Sequence, residues 1–106
     1  MNETTRTAAP LPLNLEQASY VLGDLKRCLL LRELSRGQAL PVGELTRRVG
    51  CTRDSISRQL ASLCRMGVVQ KVYGHLYALA PAYQPKAGET TLDLGHFVVR
   101  LDTPAS

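Results

Sequence analysis

Residues 52–67, TRDSISRQLASLCRMG, decide how this chain folds. Thr52 is of the residue type that caps helix N-termini, because its hydroxyl can accept a backbone N–H that the first turn leaves unpaired. Gly67 is of the type with which helices end in a left-handed turn. Between the two caps, apolar residues recur at the spacing of one buried stripe, namely Ile56, Leu60, Leu63 and Cys64. The stretch therefore predicts an amphipathic helix over residues 53–66.

The opposite face of that helix is cationic and rich in hydrogen-bonding groups. At about 100° per residue, Arg58 lies almost directly opposite the apolar stripe, and its neighbours there are Asp54, Ser62 and Arg65. Residues 45–75 contain six cations and one carboxylate, a net charge of +5, whereas the rest of the chain has seven cations and eight carboxylates. Positive charge concentrated in one segment is typical of a surface that binds a polyanion, although solvated charges would give the same pattern.

The elements on either side of this helix predict a helix-turn-helix followed by a wing. Residues 42–49 predict a preceding helix, and Gly50-Cys51 forms the turn between the two. After Gly67 the apolar period changes to two, which predicts a β-hairpin over residues 68–79 with its turn at Gly74-His75. We expect a mainly α fold with a small β-hairpin wing, a winged helix-turn-helix, and an extra C-terminal strand.

Two more helices precede this motif. Residues 1–13 are expected to form a flexible arm, after which Asn14 caps a helix over residues 15–22. Asp24 caps the next helix, which we expect to run to about Arg36. That second helix is apolar around nearly its whole circumference, so we expect it to pack on the core and also on a second protomer or the C-terminal tail.

The predicted winged domain covers residues 14–80, and residues 81–106 follow as a linker and a C-terminal strand. The strand, over residues 91–102, has two apolar phases that a β-bulge at Gly95 would reconcile. Since 106 residues make a thin core, a partner subunit is expected, through either helices 15–36 or strand 92–101.

From residue 25 to residue 79 the chain resembles the ArsR/SmtB type of winged-helix repressor. The resemblance lies in residues 29–34 (LLLREL), 42–50 (VGELTRRVG), 52–63 (TRDSISRQLASL), 66–69 (MGVV) and 76–79 (LYAL). It implies a homodimer that places two recognition helices in successive major grooves of double-stranded DNA. The chain departs from the family pattern in two places. Residues 44–48 lack the family's usual metal-binding Cys-x-Cys, and a strand is expected where the family usually has its C-terminal dimerisation helix.

The resemblance maps base contacts onto the start of the recognition helix, at Arg53, Asp54, Ser57 and Arg58. Arg58 is the strongest candidate, because an arginine can bind O6 and N7 of guanine with two hydrogen bonds. Contacts to the DNA backbone are expected from the residues around that helix and from the wing: Arg47, Arg48, Thr52, Ser55, Gln59, Lys71, Tyr73 and His75. For the wing, the minor groove is the alternative to the backbone. For Arg53 and Asp54 the alternatives are a mutual ion pair and a favourable interaction with the helix dipole.

Other chemistries find little support in the sequence. Three widely spaced cysteines do not form a disulfide framework, and no His–Cys spacing indicates a metal site. Cys28 and Cys64 are expected in the core, and Cys51 is the likeliest reactive thiol. No catalytic motif is present, so we expect neither an enzyme nor a cofactor. Without an apolar signal or membrane segment, a cytoplasmic protein is expected.

Three functions remain open on this reasoning. The first is a dimeric transcriptional regulator, most simply a repressor, whose effector the sequence does not identify. The second is a winged-helix module that binds another protein and no DNA. The third is a redox- or metal-responsive form of the first, which would depend on Cys51.

Overall fold

The computed structural model describes residues 13–85 and 91–100. In that part of the chain the helices are α1 (Leu15–Leu22), α2 (Leu25–Leu34), α3 (Val42–Val49) and α4 (Arg53–Arg65). The strands are β1 (Leu40–Pro41), β2 (Val69–Val72), β3 (Leu76–Leu79), β4 (Thr91–Asp93) and β5 (Val98–Arg100), and a 3-10 helix covers Pro81–Tyr83. The expected fold class, a mainly helical winged helix-turn-helix, is confirmed.

The first two helices begin at the caps that the sequence predicts. Asn14 and Gln17 form a capping box at α1, with Asn14 Oδ1 accepting from the Gln17 backbone N–H at 2.7 Å. Asp24 caps α2 by accepting from the Lys26 backbone N–H at 2.7 Å. That helix ends at Leu34, two residues earlier than expected, because the chain turns there and leaves through Gly37 at φ +89°.

The helix-turn-helix also matches its prediction. Gly50 ends α3 in the left-handed region at φ +86°, where a residue without Cβ is favoured. Thr52 then caps α4, its hydroxyl oxygen accepting from the Ser55 backbone N–H at 3.2 Å. Gly67, at φ +79°, follows the end of α4.

The core forms where these helices meet. Three of the four predicted stripe residues of α4 are fully buried, namely Ile56, Leu60 and Leu63. Leu45 of α3 and Leu30 of α2 are fully buried with them. The outer side of α2 is different, since the side chain of Leu25 is 71% exposed. Leu25 is therefore open to the second protomer expected on this side of α2, and that packing stays a prediction.

The wing is a three-stranded antiparallel sheet in the order β1-β3-β2. Strands β2 and β3 form the expected hairpin, with Lys71 opposite Tyr77. The extended segment before α3 adds β1 to its edge, with Leu40 opposite Tyr77, a pairing that the sequence did not predict. The turn also differs, because Tyr73 adopts φ +51° and joins Gly74 and His75 in the loop between the strands.

The C-terminal region corrects the expectation of one bulged strand. Strands β4 and β5 pair with each other in an antiparallel hairpin, so Gly95 lies in a turn and the predicted bulge is wrong. The turn forms because Asp93 Oδ1 accepts from the Gly95 backbone N–H at 2.8 Å, and Gly95 tolerates φ +94°. Leu92 and Leu94 of this hairpin are buried in the same core as the winged domain.

The segment expected to be a linker begins with ordered structure. The 3-10 helix Pro81–Tyr83 places the side chain of Tyr83 in the core, where burial raises the pKa of its phenol. The expected arm, residues 1–13, lies outside the described residues except for Leu13, which is buried. Within residues 13–85 and 91–100, no helix is both long enough and apolar enough to cross a membrane.

Candidate nucleic-acid interface

The N-terminal half of α4 presents a polar ridge to solvent. The four predicted base-contacting side chains are all exposed there, namely Arg53, Asp54, Ser57 and Arg58. The apolar stripe of the same helix holds the ridge in place, since Ile56 and Leu60 are fully buried. In helix-turn-helix proteins the N-terminal residues of the second helix contact base edges, so the ridge has the position that such contacts need.

Arg53 extends from the start of α4 towards the first turn of α3. Its Nη1 lies 3.5 Å from the position that a Cβ on Gly43 would occupy. The described contacts of Arg53 do not include an ion pair with Asp54. That ion pair is the alternative to a base contact that the sequence leaves open.

Three of the predicted backbone-contacting residues at α4 have roles inside the protein. Ser55 is only 7% exposed, and its hydroxyl lacks a hydrogen-bond partner among the described residues. The hydroxyl of Thr52 caps the helix, and Gln59 Oε1 accepts from Arg27 Nη1 at 2.8 Å. The burial of Ser55 removes it from the interface.

The two arginines of α3 are held by carboxylates. Both Nε and Nη2 of Arg47 donate to Glu44, one turn earlier on α3. Arg48 Nε donates to Glu44 Oε2 at 2.7 Å, and Arg48 Nη1 lies 3.3 Å from Glu33 Oε1 on α2. Arg48 therefore connects α2 to α3, whereas Arg47 is bound only within α3 in the described contacts.

These contacts shift the protonation equilibria of the carboxylate and the guanidinium. Hydrogen bonds from Arg47 and then Arg48 hold the pKa of Glu44 below its ordinary value, because they favour the ionised carboxylate. The hydrogen bond to Glu44 likewise raises the pKa of Arg48. The +5 segment identified in the sequence starts at residue 45, immediately after Glu44, so its count omits the carboxylate that pairs with two of its six cations.

The predicted wing contacts all lie at the solvent surface. Lys71, Tyr73 and His75 are exposed, and the Tyr73 side chain at the loop is 85% exposed. The Lys71 ammonium lies 5.6 Å from the centroid of the Tyr77 ring, on the facing strand. The wing thus carries a cation, a phenol and an imidazole beyond the end of α4.

Sequence reasoning missed a second polar group on the flank of α4. Arg27 of α2 is only 7% exposed, and its guanidinium lies over the Tyr20 ring at 3.7 Å from the centroid. Its Nε donates to the Tyr20 carbonyl at 2.8 Å. The Tyr20 hydroxyl in turn contacts Ser62 Oγ at 3.3 Å. The apolar pattern of α2 could not reveal these contacts of Arg27. Arg27 lies within a leucine-rich helix and is buried together with leucines of that helix.

The cysteines are free and partly buried. Burial raises the pKa of the Cys28 and Cys64 thiols. Cys64 packs against the core as expected, whereas Cys28 is partly buried and is not among the described residues that pack there. Cys51, in the turn before α4, packs against the core as well. Among the residues that the structure describes, no three His, Cys, Asp or Glu side chains are grouped to hold a metal ion.

A buried stripe, an exposed ridge on the second helix of a helix-turn-helix and an adjoining three-stranded wing together define a winged helix-turn-helix domain. The family model described as "Bacterial regulatory protein, arsR family" matches residues 24–71, which run from the cap of α2 into the wing. Residues 24–71 therefore match an ArsR-family helix-turn-helix, and this match supports a DNA-binding transcriptional regulator. A comparison with curated proteins gave no match.

Proposed function

We propose that this protein is a homodimeric repressor that recognises a specific double-stranded DNA sequence. In this proposal α4 enters the major groove and the wing lies along the backbone or minor groove. Arg53, Asp54, Ser57 and Arg58 contact base edges. Repression is the simplest mode, because a bound dimer would occupy the DNA that a polymerase must use.

The observation that carries the proposal is the exposed ridge of α4. Arg58 projects into solvent opposite a fully buried stripe, and none of the described contacts of the wing covers it. An arginine in that position can bind guanine through two hydrogen bonds, which discriminates against other bases by about 1–3 kcal/mol. A serine at Ser57 leaves room for the helix to approach the bases closely.

Backbone contacts are assigned to a smaller set than the sequence suggested. Lys71, Tyr73 and His75 of the wing are exposed and are kept, as is Arg47. Arg48 is paired with two carboxylates and is given a structural part, holding α3 against α2. Thr52 and Gln59 are also kept, because the cap made by Thr52 and the contact of Gln59 with Arg27 leave other polar atoms of both residues for DNA. Ser55 is left out of the set of backbone contacts.

The dimer is supported by apolar side chains that one chain leaves uncovered. Leu25 of α2 and Leu15 of α1 are exposed, as is Val98 of the C-terminal hairpin, at 65%. Two recognition helices from a two-fold dimer would meet successive major grooves, about 34 Å apart, and would require a near-palindromic site.

The test is a binding titration on duplex DNA that the protein has itself selected from a random library. We expect that duplex to bind more tightly than a scrambled duplex of the same composition, and binding to both to weaken steeply as salt rises. A protein that selects no sequence, binds both duplexes equally and instead captures one partner protein would be the interaction module considered from the sequence.

A further inference from the structure

We propose that Gln59, Ser62 and Arg65, organised by Tyr20 and the buried Arg27, form a seat for a DNA backbone phosphate at the C-terminal half of α4. These five residues are called the donor cluster below. The inference rests on the proposed function. It gives α1 and α2 a part in the DNA-binding surface, through Tyr20 and Arg27.

The residues of the donor cluster are linked by hydrogen bonds in which Ser62 and Gln59 are the acceptors. Ser62 Oγ receives two donors, the Tyr20 hydroxyl at 3.3 Å and Arg65 Nη2 at 3.1 Å. Gln59 Oε1 receives Arg27 Nη1 at 2.8 Å. A hydroxyl oxygen and a side-chain amide oxygen each have two lone pairs, so both lone pairs of Ser62 Oγ and one of Gln59 Oε1 are engaged inside the donor cluster.

What remains free in the donor cluster is mainly N–H and O–H groups. With both lone pairs of Ser62 Oγ engaged, its own proton must point elsewhere. The amide nitrogen of Gln59 keeps its two N–H donors, because the oxygen of that amide is the atom fixed by Arg27. Arg65 is exposed and uses one donor on Ser62. Such a group of donors is suited to an anion.

The charges of the donor cluster point the same way. It contains two guanidinium groups, and within residues 13–85 and 91–100 neither has a carboxylate in salt-bridge contact. Arg27 is buried, and its charge is met by the Tyr20 ring, a carbonyl and an amide. By contrast, the arginines of α3 are paired with Glu44. Among the described residues, an anion that reaches the donor cluster therefore does not have to displace a carboxylate from either guanidinium.

Its position fits a phosphate better than a base. Ser62 and Arg65 follow Arg58 at helical spacings of four and seven, so the donor cluster continues the exposed ridge. A 13-residue helix is about 20 Å long, whereas the major groove is about 12 Å wide. A helix inserted by its N-terminal half has its other half at the edge of the groove, where the sugar-phosphate strand runs. Arg, Ser and Gln side chains are all usual phosphate ligands.

The experiment measures affinity for a short duplex of mixed sequence over a series of salt concentrations, with Arg65→Gln, Arg65→Lys and Ser62→Ala. We expect Arg65→Gln to lower the affinity several-fold and to reduce the slope of log K against log salt by about 0.9, the value for one phosphate contact. Arg65→Lys should keep the slope, and Ser62→Ala should lower affinity with the slope unchanged. Circular-dichroism melting checks that each variant folds.

Arg36→Gln is the matched control, because Arg36 is an exposed arginine at the end of α2 that contacts Glu33 and lies outside the donor cluster. If Arg65→Gln and Arg36→Gln change affinity and slope equally, the phosphate seat is wrong while DNA binding stands. If the unaltered protein shows no salt-dependent binding to any duplex, the proposed function itself fails.

Discussion

At the scale of single residues, the interface depends on which arginines are free. The sequence could place Arg58 correctly, because its position opposite the apolar stripe follows from helical periodicity alone. It could not separate Arg47 from Arg48, since both follow Glu44 at helical spacings and only the packing of α3 on α2 brings Glu33 to Arg48. The donor cluster also depended on tertiary contacts between residues 32 to 42 positions apart.

Arg58→Ala tests the predicted base contact. We expect the variant to lose about 1–3 kcal/mol of binding free energy on the selected duplex, because a two-hydrogen-bond contact to guanine is removed. On scrambled DNA the loss should be smaller, as only a general cationic attraction disappears. Fluorescence anisotropy on both duplexes measures the difference. Equal losses on the two duplexes would assign Arg58 to the backbone.

Glu44→Gln tests whether the carboxylate competes with DNA for Arg47. Removing its charge should free that guanidinium for a phosphate, so we expect tighter binding to any duplex and a salt slope steeper by up to about 0.9. Glu16→Gln, an equal change of charge on the exposed first turn of α1, is the control. A gain no larger than that of Glu16→Gln would mean that Arg47 does not reach the backbone.

The same variant should change how stability depends on pH. Because the folded-state pKa of Glu44 lies below the ordinary value of 4.5, its ion pairs stabilise the fold above that value and are lost as the pH falls through the lowered pKa. We therefore expect chemical denaturation to find the unaltered protein more stable than Glu44→Gln at neutral pH, with the difference vanishing in acid. A difference that persists in acid would come from packing.

At the scale of elements, local signals were sufficient wherever a cap or a glycine marked a boundary. The start of α1, the end of α3 and the start of α4 follow from Asn14, Gly50 and Thr52. The signals were insufficient where strands pair over a distance. Strand β1 is two residues long and is recognisable only through its partner β3, and the β4–β5 hairpin depended on reading Asp93 and Gly95 as a turn.

Two glycines of the helix-turn-helix should respond to alanine with opposite signs. Gly50 ends α3 at φ +86°, with open space around it, so Gly50→Ala should destabilise the protein by about 1–2 kcal/mol through backbone strain alone. Gly43 lies inside α3, where an added Cβ would make only an ordinary contact with Arg53, so Gly43→Ala should stabilise by about 0.5–1 kcal/mol. Urea denaturation of both variants measures the two changes. If Gly50→Ala stabilised the protein, as Gly43→Ala is expected to do, the left-handed cap at Gly50 would be contradicted.

At the scale of the whole molecule, the proposed dimer requires a surface that can meet a second protomer. Length and composition predicted a thin core, and the structure leaves apolar side chains uncovered on α1, α2 and the C-terminal hairpin. The hairpin also joins the core of the winged domain through Leu92 and Leu94, whereas the sequence left open whether the tail covers α2 or pairs across a dimer.

Two matched charge insertions separate the candidate dimer surfaces. Leu25→Glu and Val98→Glu each place a carboxylate on an exposed apolar residue, so neither should disturb the monomer core. We expect the one that lies in the interface to shift sedimentation towards the monomer and to weaken binding to the selected duplex, while the other leaves both unchanged. If both variants sediment as the unaltered dimer, the interface lies elsewhere.

The most direct test of the whole account is a salt titration of binding to the selected and the scrambled duplex, with the oligomer measured by sedimentation. A dimer that prefers the selected duplex, and whose affinity for both falls steeply with salt, is the predicted result. A complex that is insensitive to salt, or that does not distinguish the two duplexes, would contradict the role given to the ridge of α4.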